Sequence, residues 1–221
     1  MLWKESAPMA NGTKYIPALR FGWLTPVYDP VLRRMLPEVA LKQRLIAQAQ
    51  IAAGQRVLDL GAGTGTLTVM IKQACRGADV VGLDGDPKVL AIAREKAAAA
   101  GVVIRFDQGL ATALPYDDDS FDRVLSSLVL HHLTTEDKQC ALGEAWRVLR
   151  PGGELHVLDF GPPQNALAWL ISLLFRRIER TADNIAGRLP GMFRQAGFTA
   201  VEQTAQQMTI LGTLALYRGR K

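Results

Sequence analysis

The 221-residue sequence predicts an α/β fold: a seven-stranded, mostly parallel, doubly wound sheet closed by an antiparallel C-terminal hairpin. Three features predict it. Short apolar runs alternate with helical patterns between residues 37 and 160, a glycine-rich turn follows the first apolar run, and two further strand-like runs end the chain. Such alternation is typical of β-α-β units, which place helices on both faces of a parallel sheet.

The elements of the central region follow from apolar periodicity and from capping residues. A helix is predicted from Pro37, with Leu41, Leu45 and Ala49 on one face and Gly54 ending it. Asp86 and Gly101 are the predicted caps of a later helix. The remaining predicted elements are strands at 56–60, 80–84, 102–106, 121–126 and 154–160 and helices at 64–75 and 136–149.

After residue 160 the pattern changes. A helix is predicted over 165–180 and a short helix over 190–196. Two strands are predicted at 199–204 and 209–217, joined by a short connection. A hairpin here would add an antiparallel strand to the parallel sheet.

Composition narrows the class of protein. The chain is 48% hydrophobic and 21% charged, as in ordinary soluble domains. No segment has the apolar length of a signal peptide or of a membrane span, so a cytoplasmic protein is expected. Cys75 and Cys140 lie in apolar helical patterns and are interpreted as buried thiols in a reducing compartment.

The net charge of +5 is unevenly distributed, because an acidic middle region lies between two basic flanks. The flanks could meet an anionic substrate or membrane surface, or could simply be solvated. No run of basic and aromatic residues suggests nucleic-acid binding, so no nucleic-acid partner is expected.

The stretch VLDLGAGTGTLT, residues 57–68, predicts a ligand site at a strand-to-helix turn. Backbone N–H groups approach a ligand closely where side chains are absent, and Gly61, Gly63 and Gly65 provide that absence. The spacing is G-x-G-x-G, which differs from the G-x-G-x-x-G of dinucleotide sites and from the phosphate-binding P-loop. A simple tight turn is the alternative.

Asp84 is the second indication of a ligand. It ends the predicted second strand, nineteen residues after Gly65, where a carboxylate can accept both hydroxyls of a ribose. A helix-capping role fits Asp86 better than Asp84. The two features together predict a nucleoside ligand with no need for a pyrophosphate.

Four stretches in this order resemble the class I S-adenosylmethionine-dependent methyltransferases. They are VLDLGAGTGTLT, VVGLDGDPKVLAIAREKA, FDQGLATALPYDDDSFDRVLSSLVLHHL and VLRPGGELHVLDF. The chain is most similar to the ubiquinone/menaquinone biosynthesis C-methyltransferases, whose relatives methylate diverse small molecules and lipids. The resemblance implies a Rossmann-like fold, S-adenosylmethionine as cofactor, and a single domain over 1–221. Its parts would be an N-terminal lid segment (1–36), a cofactor-binding core (37–160), and a substrate-side helix with the closing hairpin (161–221).

The resemblance also implies roles for individual residues. The cofactor's methionine part would pass over the glycine loop, and its ammonium would be organised by Asp59, directly or through water. Its ribose would be bound by Asp84, and its adenine would lie beside Gly85. The implied cofactor-binding residues are Tyr28, Asp59, Gly61, Ala62, Gly63, Thr64, Asp84, Gly85, Gln108, Gly109, Leu110, Ala111 and Ser126, and both Ser126 and Ser127 would border the methionine part.

One position departs from the family pattern. The stretch that usually has Gly-Asp-Ala has Gly109-Leu110-Ala111 here. Loss of the charge-assisted hydrogen bond to the adenine amino group would cost about 1.5–3 kcal/mol where nothing replaces it. We expect cofactor binding to be retained, through the backbone of Ala111 and with Asp107 nearby, at reduced affinity.

Methyl transfer from a sulfonium needs alignment of the acceptor, exclusion of water and sometimes removal of a proton, so no catalytic triad is expected. His131 follows the fourth predicted strand and is the candidate base; His132 and Asp159 are weaker candidates. Tyr28 is the second candidate catalytic residue, because Tyr28-Asp29 resembles the Tyr-Asp of the quinone branch. No metal site is expected, because these histidines lack partners at ligand spacing.

The stretch ALAWLISLLFRRIER, residues 166–180, bears on the acceptor. Its apolar half and its arginines, Arg176, Arg177 and Arg180, suit a lid over an apolar pocket, a peripheral membrane contact or plain packing.

The first hypothesis is therefore a methyltransferase of a small lipophilic acceptor, such as a quinol or phospholipid headgroup. A small thiol or amine acceptor, a nicotinamide-dependent oxidoreductase and a non-catalytic binding module are the alternatives. The sequence leaves monomer and dimer open.

Overall fold

The computed structural model describes residues 38–170, 180–210 and 212–221. The strands are β1 (Arg56–Leu60), β2 (Asp79–Asp84), β3 (Arg105–Gln108), β4 (Phe121–Ser127), β5 (Leu149–Phe160), β6 (Thr199–Thr209) and β7 (Gly212–Arg220). The helices are α1 (Glu38–Ala49), α2 (Thr66–Ala74), α3 (Pro87–Ala99), α4 (Thr135–Val148), α5 (Ala182–Ile185) and α6 (Leu189–Gln195), and residues 166–170 are also helical.

All seven strands form one sheet in the order β3-β2-β1-β4-β5-β7-β6. The first five are mutually parallel, and β7 inserts antiparallel between β5 and β6. The predicted fold class is therefore confirmed. Because β1 and β4 are neighbours while the chain winds outward in both directions from them, the order reverses between these two strands. Ligands of doubly wound sheets bind at the carboxyl ends of strands at such a point.

The sheet is buried on both faces, as its apolar strands require. One face packs against α1 and α2, and the core there includes Leu41, Leu45, Val57, Ile71, Leu125 and Leu158. The opposite face packs against α4 and α6, and its core includes Leu58, Leu83, Val124, Leu142, Phe193 and Tyr217. Alternation along β1 sends Val57 and Asp59 toward α1 and α2 while Leu58 and Leu60 face the other side.

Several boundaries differ from the prediction for local reasons. The third strand is Arg105–Gln108 rather than 102–106, because Val102 still closes the end of α3 with a hydrogen bond to Ala97 and Val103 is 90% exposed. The helix after the glycine loop begins at Thr66 rather than 64, because Gly65 at its N-cap is left-handed. The first helix ends at Ala49, before Gly54.

The C-terminal hairpin is longer than predicted. Both strands extend so that Thr209 pairs with Gly212, and the described turn begins at Ile210 instead of lying at 205–208. β6 is an edge strand, so its polar glutamines face solvent and hide the strand pattern in the sequence. β5 also begins earlier than predicted, at Leu149.

Two predictions about buried cysteines and about the 165–180 helix differ from the structure, and others fall on residues that it does not describe. The prediction that Cys140 is buried is wrong, since it is exposed, and Cys75 is only half-buried. Arg180 lies in a bend, which contradicts a helix through residue 180. The predicted lid segment 1–36 with Tyr28, and residues 171–179, lie outside the described residues. Within the described ranges no helix combines the length and apolarity needed to cross a bilayer.

Candidate functional site

The site is built where the glycine loop leaves β1. The loop is anchored to the neighbouring strand, because the backbone N–H groups of Gly61 and Ala62 both donate to the carbonyl of Leu83 at 2.8 Å. The loop is also braced from α3, since Lys96 Nζ donates to the hydroxyls of Thr64 (3.0 Å) and Thr66 (2.7 Å). These contacts fix the backbone in a shape that leaves one side of the loop open.

Asp84 ends β2 beside this loop. Its Oδ2 accepts a hydrogen bond from the N–H of Gly63 at 2.8 Å, and its Oδ1 accepts one from the N–H of Asp86 at 3.0 Å. Asp86 caps α3 by accepting from the N–H of Lys88, as predicted. The carboxylate of Asp84 is thus held in one orientation, and each oxygen retains acceptor capacity.

A cavity of about 350 Å³ lies against the loop and these strand ends. This volume is within the range of small-molecule sites. Nine of the residues predicted to bind the cofactor line the cavity: Gly61, Ala62, Gly63, Thr64, Asp84, Gly85, Gly109, Leu110 and Ala111. The structure therefore brings the two separate sequence motifs and the 109–111 stretch to one wall.

Asp59, Gln108 and Ser126 do not line the cavity. Asp59 is 1% exposed and accepts a 2.6 Å hydrogen bond from the Thr68 hydroxyl, and burial raises its pKa to about 6 although Thr68 and the charge of Lys42 oppose the shift. Gln108 is exposed and donates to the carbonyl of Gly85 at 3.3 Å. Asp59 is therefore buried behind the residues that line the cavity, and Gln108 lies beside them and contacts Gly85.

Ser126 was expected to border the ligand, but strand alternation turns it away. Its buried hydroxyl donates to the carbonyl of Leu60 at 3.0 Å. The next residue, Ser127, lines the cavity, and its buried Oγ has no hydrogen-bond partner among the described residues. An unpartnered buried hydroxyl is costly, so Ser127 is positioned to bond a ligand.

The chain turns sharply after β4. Leu128 is left-handed, with φ of 61°, a conformation that costs a non-glycine residue about 1–2 kcal/mol. Strain of this kind concentrates at functional sites. The turn delivers Leu128, Val129, His132 and Leu133 to the cavity.

His131, the predicted base, is 6% exposed and does not line the cavity, whereas His132 does. The two rings are in contact, with centroids 3.9 Å apart and planes inclined by 45°. His131 Nδ1 lies 3.0 Å from Oδ1 of the fully buried Asp159. Asp159 also accepts from Asn184 Nδ2 and from the N–H of Phe160. Burial alone would raise the pKa of Asp159, but His131 foremost, with the N–H of Phe160 and the charge of His132, holds it below its usual value.

A second network fixes the far rim of the cavity. Lys138 is fully buried, and its Nζ donates to the carbonyl of Arg180 at 2.7 Å and to Asp183 Oδ2 at 3.3 Å. Thr135 donates to the same Asp183 oxygen at 2.7 Å. Arg180 and Asp137 line the cavity here, so the chain around Arg180 and Asp183 is held against the start of α4.

Sequence reasoning missed Glu38 and Lys42, which line the cavity from α1. A lysine at position 42, between Leu41 and Leu45 on an otherwise apolar face, was the available signal. Within the described parts of the chain, no cluster of three His, Cys, Asp or Glu is arranged to hold a metal ion.

Comparisons with known proteins agree with this geometry. A family described as a methyltransferase domain matches residues 57–153. The chain is 39% identical to a demethylmenaquinone methyltransferase of Thermus thermophilus over 176 residues, covering 78% of both chains. It is 33% identical to the protein of that name from Deinococcus radiodurans over 207 residues, covering 90% of this chain and 85% of the relative.

A structural comparison supports the fold. The crystal structure of YcgJ from Bacillus subtilis superimposes with a TM-score of 0.68 at 21% identity, over 83% of this chain and 98% of that one. This chain belongs to the class I S-adenosylmethionine-dependent methyltransferases, in the branch of the ubiquinone/menaquinone biosynthesis C-methyltransferases, and uses S-adenosylmethionine as its cofactor.

Proposed function

We propose that this enzyme methylates a lipophilic quinol by in-line transfer. The observation that carries the proposal is the apolar part of the cavity wall, formed by Leu128, Val129 and Leu133. Such a wall suits an aromatic ring better than a charged headgroup or a small hydrophilic amine. The relatives named demethylmenaquinone methyltransferase support the same class of acceptor.

The residues present fit the cofactor. A Cβ at Gly63 would meet no atom within 4 Å, so this side of the loop is open to a ligand. Ser127 supplies an unpartnered hydroxyl and Asp84 an oriented carboxylate on the same cavity. We assign the ribose to Asp84, the methionine part to Gly61–Thr64 and Ser127, and the adenine to Gly85 and 109–111. The cofactor, when bound, supplies the activated methyl group.

A quinol becomes a stronger carbon nucleophile when a ring hydroxyl loses its proton, so a base is useful. We propose His132 for this role, because it lines the cavity. His131, the base expected from the sequence, contacts the His132 ring and is held at Nδ1 by Asp159, and it is the alternative. Tyr28 remains a predicted catalytic residue that would cover the methyl donor.

Replacing each histidine by glutamine separates the two roles. Replacement of the histidine that acts as the base should lower kcat by at least tenfold and leave the binding of S-adenosylhomocysteine unchanged. If His131→Gln alone has this effect, the assignment moves to His131.

The exposed start of the 166–180 segment suggests how a lipophilic acceptor arrives. Leu167, Trp169 and Leu170 are 54–62% exposed, while Ala168 is buried against the domain. Three arginines follow in the sequence, at positions 176, 177 and 180. We propose that this face rests on an anionic membrane surface. A Leu167→Ser/Leu170→Ser variant should sediment less with phosphatidylglycerol vesicles than wild type does. Its rate of methyl transfer to a short-chain quinol should be unchanged.

Transfer of labelled methyl groups tests the acceptor. Wild-type protein and Asp84→Ala are incubated with methyl-labelled cofactor and, separately, with a reduced demethylated menaquinone, phosphatidylethanolamine, a small thiol and a small amine. Label should enter the quinol with wild-type protein and fall sharply with Asp84→Ala. Label in another acceptor, with none in the quinol, would overturn the proposal.

A further inference from the structure

An ion pair on α1 forms part of the cavity wall. Lys42 Nζ lies 2.5 Å from Glu38 Oε1, one helical turn away, and both residues line the cavity beside the glycine loop. Neither belongs to a glycine-loop or strand-end motif. They place a full positive and a full negative charge at the edge of the methionine side of the site.

The burial of this pair is unusual for a helix-surface contact. Lys42 is only 8% exposed, although lysine is rarely so buried. An exposed pair four residues apart stabilises a helix by about 0.3–0.5 kcal/mol, which is small beside the cost of desolvating an ammonium group. Helix stability therefore gives no sufficient reason for placing a lysine here, whereas a charged ligand does.

Asp59 cannot meet the ligand directly. It is 1% exposed, its Oδ2 is held by Thr68, and it lies behind the cavity wall. Glu38, with a side chain 25% exposed, is the carboxylate that reaches the cavity on this side. A direct contact from a carboxylate on this side of the cavity is therefore open to Glu38 and not to Asp59.

We infer that Glu38 and Lys42 together form the subsite for the zwitterionic amino-acid end of the cofactor, Lys42 binding its α-carboxylate and Glu38 its α-ammonium. This inference rests on the proposed placement of the cofactor across Gly61–Thr64. The protein's own ion pair opens and is replaced by two intermolecular pairs of opposite polarity. Because both sets of charges are matched, neither partner is left unpaired in the buried site.

The subsite predicts selectivity for the amino-acid tail. S-Adenosylhomocysteine carries this tail, and 5′-methylthioadenosine has the same nucleoside without it. The two compounds therefore divide binding into a nucleoside part, carried by Asp84 and its neighbours, and a tail part, carried by Glu38 and Lys42.

Calorimetric titration of both compounds tests the inference. Lys42→Met should weaken S-adenosylhomocysteine binding at least tenfold and leave 5′-methylthioadenosine within about twofold, since a charge-assisted contact is lost. Glu38→Gln should act in the same direction and more weakly. Lys42→Arg should restore most of the affinity, and Arg44→Met, an exposed position on the same helix, is the matched control.

The outcomes separate the two proposals. Equal weakening of both compounds by Lys42→Met, or no weakening of either, overturns the tail subsite. Wild-type protein that binds neither compound contradicts the placement of the cofactor itself. The melting temperature of each unliganded variant shows whether α1 remains packed.

Discussion

The Asp84 carboxylate holds the glycine loop in place through a 2.8 Å hydrogen bond from the N–H of Gly63. One residue of β2 therefore fixes the backbone of the loop that follows β1 and also presents acceptor oxygens to the same cavity. The binding surface is formed before the ligand arrives, which lowers the entropic cost of binding.

Comparing Asp84→Ala with Asp86→Ala should separate ligand binding from helix capping. Removing this carboxylate should weaken S-adenosylhomocysteine binding at least tenfold, because hydrogen bonds to a charged group are worth about 1.5–3 kcal/mol. Asp86→Ala, two residues away, removes the cap of α3 and should cost about 1 kcal/mol of unfolding free energy with little change in affinity. Titration calorimetry and urea unfolding distinguish the two. Equal affinities for wild type and Asp84→Ala would refute the site map.

Gly61 and Gly63 should respond differently to alanine. At Gly61 an added Cβ would lie 2.4 Å from Val129 Cγ2, so Gly61→Ala should lose stability through overpacking, by about 1–3 kcal/mol. At Gly63 the Cβ would meet no protein atom, although φ is 53° and imposes a smaller strain. Gly63→Ala should therefore lose ligand affinity more than stability. Urea unfolding measures the first effect and calorimetry the second; undiminished binding by Gly63→Ala would contradict an open cofactor face.

The sequence predicted the features that depend on chain order. Glycine spacing after an apolar run located the loop, and the carboxyl ends of adjacent parallel strands must meet, so Gly61, Gly63 and Asp84 could be grouped without coordinates. The antiparallel hairpin followed from two terminal strand-like runs. These inferences use only local pattern and the rules of parallel sheets.

The remaining features depend on side-chain direction and packing between distant segments. Whether Ser126 or Ser127 faces the cavity depends on the phase of β4, and a shift of one residue exchanges them. The left-handed Leu128 decides that His132 rather than His131 reaches the wall. The apolar neighbours of Lys42 mark it as an unusual buried lysine, but only the packing of α1 across the sheet places it at the cavity.

Leu110→Asp should restore the acid that the family pattern places at this position. Leu110 lines the cavity beside Gly85 and Ala111, so a carboxylate there can accept from the adenine amino group. We expect several-fold tighter binding of both S-adenosylhomocysteine and 5′-methylthioadenosine, because the new bond is charge-assisted. Leu110→Asn, which has similar shape without the charge, should give a smaller gain. Weaker binding of both compounds by Leu110→Asp would mean that the adenine lies elsewhere.

Asp59 should make the stability of the unliganded protein depend on pH. Burial raises its folded-state pKa to about 6, above the model-peptide value of 3.8. The folded protein therefore holds this proton more tightly than the unfolded chain does. The stabilisation is fully present below about pH 4 and is lost as pH rises through 6, a change of about 3 kcal/mol by pH 7.

Asp59→Asn isolates this effect, because asparagine can still accept from Thr68 and does not ionise. The unfolding free energy of the variant minus that of wild type should rise by about 3 kcal/mol between pH 4 and 7. Thr68→Val removes a hydrogen bond that favours the charged form of Asp59. The unfolding free energy of this variant should therefore fall more steeply with rising pH than that of wild type. Urea unfolding at several pH values measures both differences. A difference between Asp59→Asn and wild type that is flat across this range would show that Asp59 is already ionised at low pH in the folded protein.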